Sequence, residues 1–239
     1  MRVFITGISR GLGRAIAEAC LNAGHDVWGI SRSAPMGLDQ RIRHTRCDLC
    51  SEKNIKDAYS EVKKAGFAPD IIVLNAAPIK DDFSDAIDLK IFEESFNAGV
   101  LGNFRFLNLF LVDIIAAKKA AVFLNISSIS SFRAILRRKI AYPAAKAAID
   151  KAFESLRLQS SAKGVKFVTI NLGPLSGLKK TPFLTATYAD AATKVLRLAE
   201  KKGGLIPRSS FCYPLVPSFL YKLAGLIPDA VLKKLLQAL

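Results

Sequence analysis

A tyrosine and a lysine four positions apart, Tyr142 and Lys146, could carry out acid–base chemistry if they lie on a helix. Side chains at i and i+4 share one helix face, and Pro143 is typical of a first helical turn. A free phenol has a pKa of about 10. A nearby ammonium and the positive end of the helix dipole should lower that value toward neutrality. The pair therefore predicts an acid–base tyrosine assisted by a lysine.

A group of serines precedes this pair, at the end of an apolar run. The segment Asn125-Ile126-Ser127-Ser128 offers hydroxyls beyond the end of a predicted strand, where a substrate oxygen could be held. We favour Ser128 for this role. The neighbouring hydroxyls are alternatives: Ser127, Ser130 and Ser131.

A glycine-rich turn near the amino end could bind phosphate. It reads Thr6-Gly7-Ile8-Ser9-Arg10-Gly11-Leu12-Gly13 and separates an apolar run from a helical pattern. Gly7 would permit a tight turn, Gly11 a close approach to pyrophosphate, and Gly13 close packing of the helix on the sheet. The free N–H groups and the dipole at the helix start attract an anion. The turn therefore predicts a dinucleotide site.

The end of the second predicted strand indicates which dinucleotide binds. An acid there would accept the ribose hydroxyls of NAD, but the strand ends in Ser31-Arg32-Ser33, and the next acid is Asp39. Arg32 could pair with a 2′-phosphate, and Arg10 stands where it could help. We therefore expect NADP(H) to be preferred over NAD(H).

Strand-like and helix-like segments alternate along the chain, as in βαβ units. Ile71 to Leu74 are apolar at successive positions, which indicates a strand of a parallel sheet buried on both faces. Strands are predicted at Arg2–Thr6, Asp26–Ser31, Arg43–Asp48, Asp70–Asn75, Ala120–Ser127, Lys166–Leu172 and Gly204–Ile206. Helices are predicted at Gly11–Ala23, Glu52–Ala65, Asp88–Ala117 in two parts, Tyr142–Ala162 and Tyr188–Lys201. The pattern predicts a single α/β domain over residues 1–239, a doubly wound Rossmann parallel sheet of about seven strands with helices on both faces.

The final segment, residues 211–239, differs in composition from the rest. It is rich in leucine and aromatic residues, and an amphipathic helix is predicted to start at Asp229, after Pro228. Two interpretations remain open. The segment is an extension packed on the core or on a second subunit, or it forms a lid over an apolar substrate or a weak contact with a membrane surface.

Composition excludes several classes of protein. The chain has 239 residues, with 35 Lys+Arg against 20 Asp+Glu, a formal net charge of +15. The basic residues are scattered and match no nucleic-acid-binding motif, so we expect no nucleic-acid partner. The apolar stretch Phe104–Ala117 contains Arg105 and Asp113 and is shorter than a membrane helix needs.

Cysteines and histidines are too few to predict a metal site. Cys47 and Cys50 form a CxxC motif, but Cys212 is the only later cysteine and the chain has only two histidines. Reduced thiols suit a cytoplasmic protein, which is the location we expect.

Together these motifs resemble the short-chain dehydrogenase/reductase family over essentially the whole chain. Besides the glycine turn, the YxxxK pair and the serine, Leu74 to Ala77 stand where the family has NNAG. Asp48 and Leu49 match its Asp-aliphatic pair beside the adenine, and Asn97 matches its structural and proton-relay asparagine. Three positions depart from the family pattern: Ala77 and Leu172 replace a glycine and a proline, and Gly177 replaces a threonine.

The resemblance implies an NADP(H)-dependent oxidoreductase that interconverts a carbonyl and a secondary alcohol by hydride transfer. Tyr142 would be the general acid/base, Lys146 would lower its pKa and bind the nicotinamide ribose, and Ser128 would hold the substrate oxygen. Asn97 would hold a water of the proton relay. The resemblance also places cofactor contacts at Gly7, Ser9, Arg10, Gly11, Leu12, Gly13, Ser31, Arg32, Asp48, Leu49, Asn75, Ala76, Ala77, Tyr142, Lys146 and Leu175.

Partners are predicted more broadly. The family's habit of pairing the helices after strands four and five implies a homodimer or homotetramer. The substrate would be a small carbonyl or alcohol compound. The basic loop from Phe132 to Lys139 is either simply exposed to solvent or attracts an anionic, acyl-linked substrate. A non-catalytic NADP(H)-binding sensor or scaffold protein with the same fold is the alternative function.

Overall fold

The computed structural model describes residues 1–134, 138–161, 164–178, 184–200 and 210–237. The strands are β1 Arg2–Thr6, β2 Asp26–Ser31, β3 Arg43–Arg46, β4 Ile71–Leu74, β5 Ala121–Ser128, β6 Val165–Leu172, β7 Leu175–Ser176, β8 Ala186–Thr187 and β9 Ser210–Tyr213. The central feature is a seven-stranded sheet of order β3-β2-β1-β4-β5-β6-β9 in which every neighbouring pair is parallel. A separate two-stranded pair, β7 and β8, lies outside this sheet.

Helices cover both faces of the sheet and create two apolar cores. One core joins strand residues such as Phe4 and Phe123 to Phe106 and Phe153 of the helices. The other joins Ile5 and Ile126 to side chains of α1 and α6. The helices are α1 Gly11–Asn22, α2 Glu52–Lys64, α3 Leu89–Phe96, α4 Asn103–Ala116, α5 Ala141–Gln159, α6 Tyr188–Glu200, α7 Leu215–Ala224 and α8 Asp229–Gln237. The predicted doubly wound α/β fold is confirmed, because successive apolar strand residues point into opposite cores.

The last strand of the sheet differs from the sequence expectation. The strand predicted at Gly204–Ile206 lies outside the described residues, as do the predicted helix ends Ala162 and Lys201. The seventh strand described is β9, which pairs with β6 from Thr169↔Ser210 to Leu172↔Tyr213. Residues 211–213 of the predicted C-terminal extension therefore lie within the sheet.

The long helical segment after β4 is interrupted by a π-helical turn, Asn97–Gly102, between α3 and α4. The turn sets the position of Asn103, whose side chain donates to the Ala76 carbonyl at 2.8 Å and accepts from the Thr6 hydroxyl at 2.8 Å. At Gly102 a Cβ would lie 2.4 Å from the Leu49 carbonyl oxygen, so only glycine fits there. The predicted break into two parts thus has a structural role: it ties α4 to the strand ends.

This segment is also the one described helical run, Leu89–Ala116, that is long and apolar enough to cross a membrane. Its inner side chains belong to the core of the domain. Phe106, Leu107, Phe110 and Ile114 are buried against the sheet. We therefore assign it as a core helix.

Candidate active site

The glycine turn has the geometry that a phosphate site requires. Gly7 has a φ of +79°, and a Cβ on Gly13 would lie 2.1 Å from the Gly7 carbonyl oxygen. Asn75 holds the turn by donating to the carbonyls of Thr6 at 3.0 Å and Gly7 at 3.2 Å. The following helix, α1, has no side-chain cap at Arg10 and no acid in its first turn. Its first N–H groups are therefore available to an anion.

A cleft of about 1350 Å³ lies at the carboxyl ends of the strands, where the strand order reverses between β1 and β4. Dinucleotides bind at such a switch point in open α/β sheets. The buried hydroxyl of Ser127, which lines the cleft, has no hydrogen-bond partner among the described residues. All the residues predicted to contact the cofactor line this cleft, including the glycine turn, Arg32, Asn75 and Tyr142.

At one end of the cleft, Arg32 is held by an acid. Its Nη1 donates to Glu94 at 3.0 Å, although the arginine side chain is 66% exposed. Glu94 is also paired with Lys80, and the two cations hold the pKa of its carboxyl below the usual range. A phosphate bound here would compete with Glu94 for two cations.

At the other end, α5 presents Tyr142 from its first turn. The helix starts at Ala141 because Asp82, which is 2% exposed, accepts from the backbone N–H groups of Ile140 and Ala141. This cap is contributed from a loop far away in sequence, and the sequence analysis missed it. Ser128, at the end of β5, lines the cleft with Tyr142, and its interaction with the phenol favours the phenolate.

Lys146 is buried below the tyrosine, one helical turn further on. Its Nζ donates to the Ile126 carbonyl at 2.6 Å and lies 5.8 Å from the centre of the Tyr142 ring. Only 5% of the residue is exposed. Tyr142, Lys146 and Ser128 are therefore brought together at the cleft, as their spacing predicts.

The prediction that the tyrosine pKa is lowered is wrong for this arrangement. Burial raises the pKa of Tyr142, because the phenolate loses its hydration; the hydrogen bond from Ser128 opposes this effect. Burial also lowers the pKa of Lys146 to about 8, against the attraction of Asp150. The ammonium donates to a carbonyl rather than to the phenol, so it does not offset the desolvation.

A partly buried hydrogen-bond network surrounds Asp150, two turns after Tyr142 on the same helix face. Its carboxylate accepts from Asn125 at 2.8 Å, from Ser131 at 2.7 Å and from Asn171 at 2.8 Å. It thereby connects α5 to the ends of β5 and β6 and to the turn after Ser128. The sequence analysis missed Asp150, although its i, i+4, i+8 spacing from Tyr142 and Lys146 was a usable signal.

Asn97 is the predicted catalytic residue that does not line the cleft. It begins the π-helical turn, and its backbone N–H continues the bonding of α3. Gly99, two residues on, is the member of this turn that faces Ala77 and Ala145. The geometry therefore gives no direct support to a relay role for Asn97.

The basic loop from Phe132 to Lys139 is held by ion pairs. Arg133 pairs with Asp229, and Arg138 and Lys139 pair with Asp81. These pairs reduce the charge available to steer an anion.

The lowered pKa of Lys146 predicts a pH-dependent cofactor affinity. Below pH about 8 the side chain is an ammonium that can donate to a ribose, and above this pH it loses its proton. Binding of NADPH should therefore weaken by about tenfold as the pH rises through about 8. Titrating NADPH by fluorescence across this range measures the effect. The Lys146→Met variant should bind NADPH more weakly at neutral pH, and its affinity should not change near pH 8. A change of affinity near pH 8 in that variant would show that Lys146 is not the group that titrates.

Comparisons with known proteins agree with this geometry. A family model described as short chain dehydrogenase matches residues 1–186. An NADPH-dependent pterin aldehyde reductase from Arabidopsis thaliana is 28% identical over 201 residues, covering 80% of each chain. A 3-oxoacyl-[acyl-carrier-protein] reductase, MabA, from Mycobacterium avium is 30% identical over 103 residues, covering 43% of this chain and 40% of its own.

Solved structures show the same fold. The closed form of a serine dehydrogenase complexed with NADP+ superposes with a TM-score of 0.75 at 16% identity, covering 89% of this chain and 94% of that one. The family match spans the glycine turn, the serine and the tyrosine–lysine pair. The chain therefore belongs to the short chain dehydrogenase family of oxidoreductases.

Proposed function

We propose that this protein is an NADP(H)-dependent oxidoreductase that interconverts a carbonyl compound and a secondary alcohol. The observation that carries the proposal is that Ser128, Tyr142 and Lys146 line the same cleft as the glycine turn. A protein that only bound the dinucleotide would not need a hydroxyl pair at this position. The NADPH-dependent relative, which covers most of the chain, supports the same reaction class.

Each side chain has a distinct task in this reaction. The nicotinamide supplies or accepts hydride when the cofactor is bound. Ser128 holds the substrate oxygen, and Tyr142 donates its proton to that oxygen in the direction of reduction. The raised pKa keeps the phenol protonated at neutral pH, which suits this donor role. Lys146 holds the ribose, and the Asp150 network keeps the serine turn in register with α5.

The preference for NADP(H) is supported by Arg32, because it lies at the cleft beside Lys80 and Glu94. The second strand ends in Ser31-Arg32-Ser33 and so has no acid at its end to accept the ribose hydroxyls of NAD. Without cofactor, the Arg32 guanidinium pairs with Glu94; with NADP(H) bound, it would pair with the 2′-phosphate instead. It therefore has an anionic partner in both states.

We also propose that the chain self-associates through α4 and acts in the cytoplasm. Leu101, Val112 and Ile115 are each about half exposed on the outer side of the π-helical turn and α4. The four cysteines are free thiols, which fits a reducing compartment.

The proposed activity is tested by following NADPH oxidation with a panel of ketones, aldehydes, quinones and 3-oxoacyl thioesters. Turnover of at least one carbonyl class is expected, with much weaker turnover when NADH replaces NADPH. Tight NADPH binding without oxidation by any class would favour the alternative, a cofactor-binding sensor or scaffold protein. Acyl thioesters belong in the panel because the relative MabA is a 3-oxoacyl-[acyl-carrier-protein] reductase.

A further inference from the structure

Helix α7 exposes its large apolar side chains and buries its small ones. Leu215, Phe219 and Leu223 are 74%, 62% and 42% exposed, whereas Pro217 and Ser218 face inward. Val216, Leu220 and, just beyond the helix, Leu226 continue the exposed apolar surface. A helix on a water-facing surface has the opposite arrangement. Within the described part of the chain, nothing covers these side chains, so the surface fits a partner that accepts apolar groups.

The helix is held firmly in this orientation. Pro214 and Pro217 pack on Gly173, where a Cβ would lie 3.2 Å and 3.4 Å from their ring atoms. The Ser218 hydroxyl donates to the Pro214 carbonyl, which satisfies the inward polar group. The apolar face is therefore a fixed feature of the fold and not the result of a loosely attached segment.

A second set of contacts fixes the connection from α7 to α8. Arg133, from the loop after the catalytic serine, donates to the Ile227 carbonyl at 3.2 Å and pairs with Asp229. The Lys222 ammonium lies 5.1 Å from the centre of the Phe132 ring. Both contacts attach the apolar surface to the substrate side of the cleft.

Charge indicates the chemistry of the partner. Lys222, Lys233 and Lys234 are exposed around the apolar side chains, and Asp229 is the only acid in the sequence after Glu200. That acid is already paired with Arg133. A symmetric dimer through this face would bring together two lysine-bearing surfaces of chains that each carry a net charge of +15. An anionic headgroup layer would neutralise the same lysines.

We propose that α7 and α8 dock the protein on an anionic lipid surface. The side chains from Leu215 to Leu226 enter the boundary between headgroups and acyl chains, and Lys233 and Lys234 contact anionic headgroups. Gly173, on which α7 packs, also lines the cleft. Docking would therefore hold the substrate end of the active site close to the bilayer. The proposal stands on α7 and α8 alone and does not depend on the proposed reaction.

Vesicle sedimentation tests the docking. The full chain should sediment with phosphatidylcholine vesicles that contain phosphatidylserine, much less with phosphatidylcholine alone, and less as salt is raised. Phe219→Glu should weaken binding by about tenfold or more, because it removes a large apolar group and adds a repelled charge. Leu158→Glu is the matched control: Leu158 is 81% exposed on α5, away from this surface, and its variant should sediment like the wild type.

Three results would overturn the proposal. The first is absence of sedimentation with either vesicle, and the second is equal loss in the Phe219 and Leu158 variants. The third is a dimer by light scattering that Phe219→Glu dissociates, without vesicle binding by the wild type; this would assign the face to a second copy. NADPH binding measured on both variants reports that they are folded and keeps this test separate from the test of catalysis.

Discussion

Replacing Tyr142 by phenylalanine should lower kcat by about 10²–10⁴-fold, the usual contribution of a positioned general acid or base. The ring would still fill its place above Lys146, and only the hydroxyl that bonds Ser128 would be lost. Affinity for NADPH should therefore be nearly unchanged. Steady-state NADPH oxidation with the best substrate of the panel, together with fluorescence titration of the cofactor, measures both quantities.

Tyr188 provides a control within the same cleft. It lies beside Gly11 and Gly177, away from Ser128, so Tyr188→Phe should leave kcat close to that of the wild type. A Tyr142→Phe variant that turns over at the wild-type rate would rule out the acid–base role. A comparable loss of NADPH affinity would instead show that the hydroxyl serves binding.

Replacing Arg32 by alanine should raise the Kd for NADPH by about 10–100-fold and that for NADH only slightly. A charge-assisted hydrogen bond to a phosphate contributes about 1.5–3 kcal/mol, and NADH has no phosphate at this position. In the wild type, Arg32 must exchange its exposed bond to Glu94 for a bond to the phosphate. We therefore expect the increase in Kd to lie in the lower half of the ~10–100-fold range. Parallel titrations with the two cofactors measure the ratio directly.

Arg41 is the appropriate control for charge. It is 70% exposed, pairs with Asp39 and does not line the cleft, so Arg41→Ala removes the same charge without removing a residue of the cleft. If Arg32→Ala and Arg41→Ala lose NADPH affinity equally, the loss comes from the overall positive charge of the protein and not from a contact of Arg32. If Arg32→Ala affects both cofactors equally, the predicted preference for NADP(H) is wrong.

Much of the fold could be predicted because its signals are local. A short run of consecutive apolar residues such as Ile71 to Leu74 indicates a strand buried on both faces, and the glycine turn indicates a strand before it and a helix after it. The tyrosine–lysine spacing likewise has one meaning once a helix contains it. These features depend on neighbours within a few residues, so one sequence suffices to find them.

The features that were missed depend on contacts distant in the chain. Asp82 caps a helix that begins far beyond it, and Asp150 collects donors from two strands and a turn. The raised pKa of Tyr142 follows from the depth of its burial, which no spacing reveals. The outward apolar face of α7 could not be predicted either, because an amphipathic pattern shows that a helix has two faces but not which face packs against the domain.

The π-helical turn also bears on how this helical stretch would respond to deletions. An α-helix advances by about 100° per residue, and a π-turn accommodates one residue more than the regular ladder without rotating the segments on either side. Loss of a single residue between Asn97 and Gly102 would therefore let the ladder become regular while α4 kept its rotational phase. Loss of a single residue between Phe106 and Phe110 would instead turn one of these rings about 100° away from the face on which both contact Phe4.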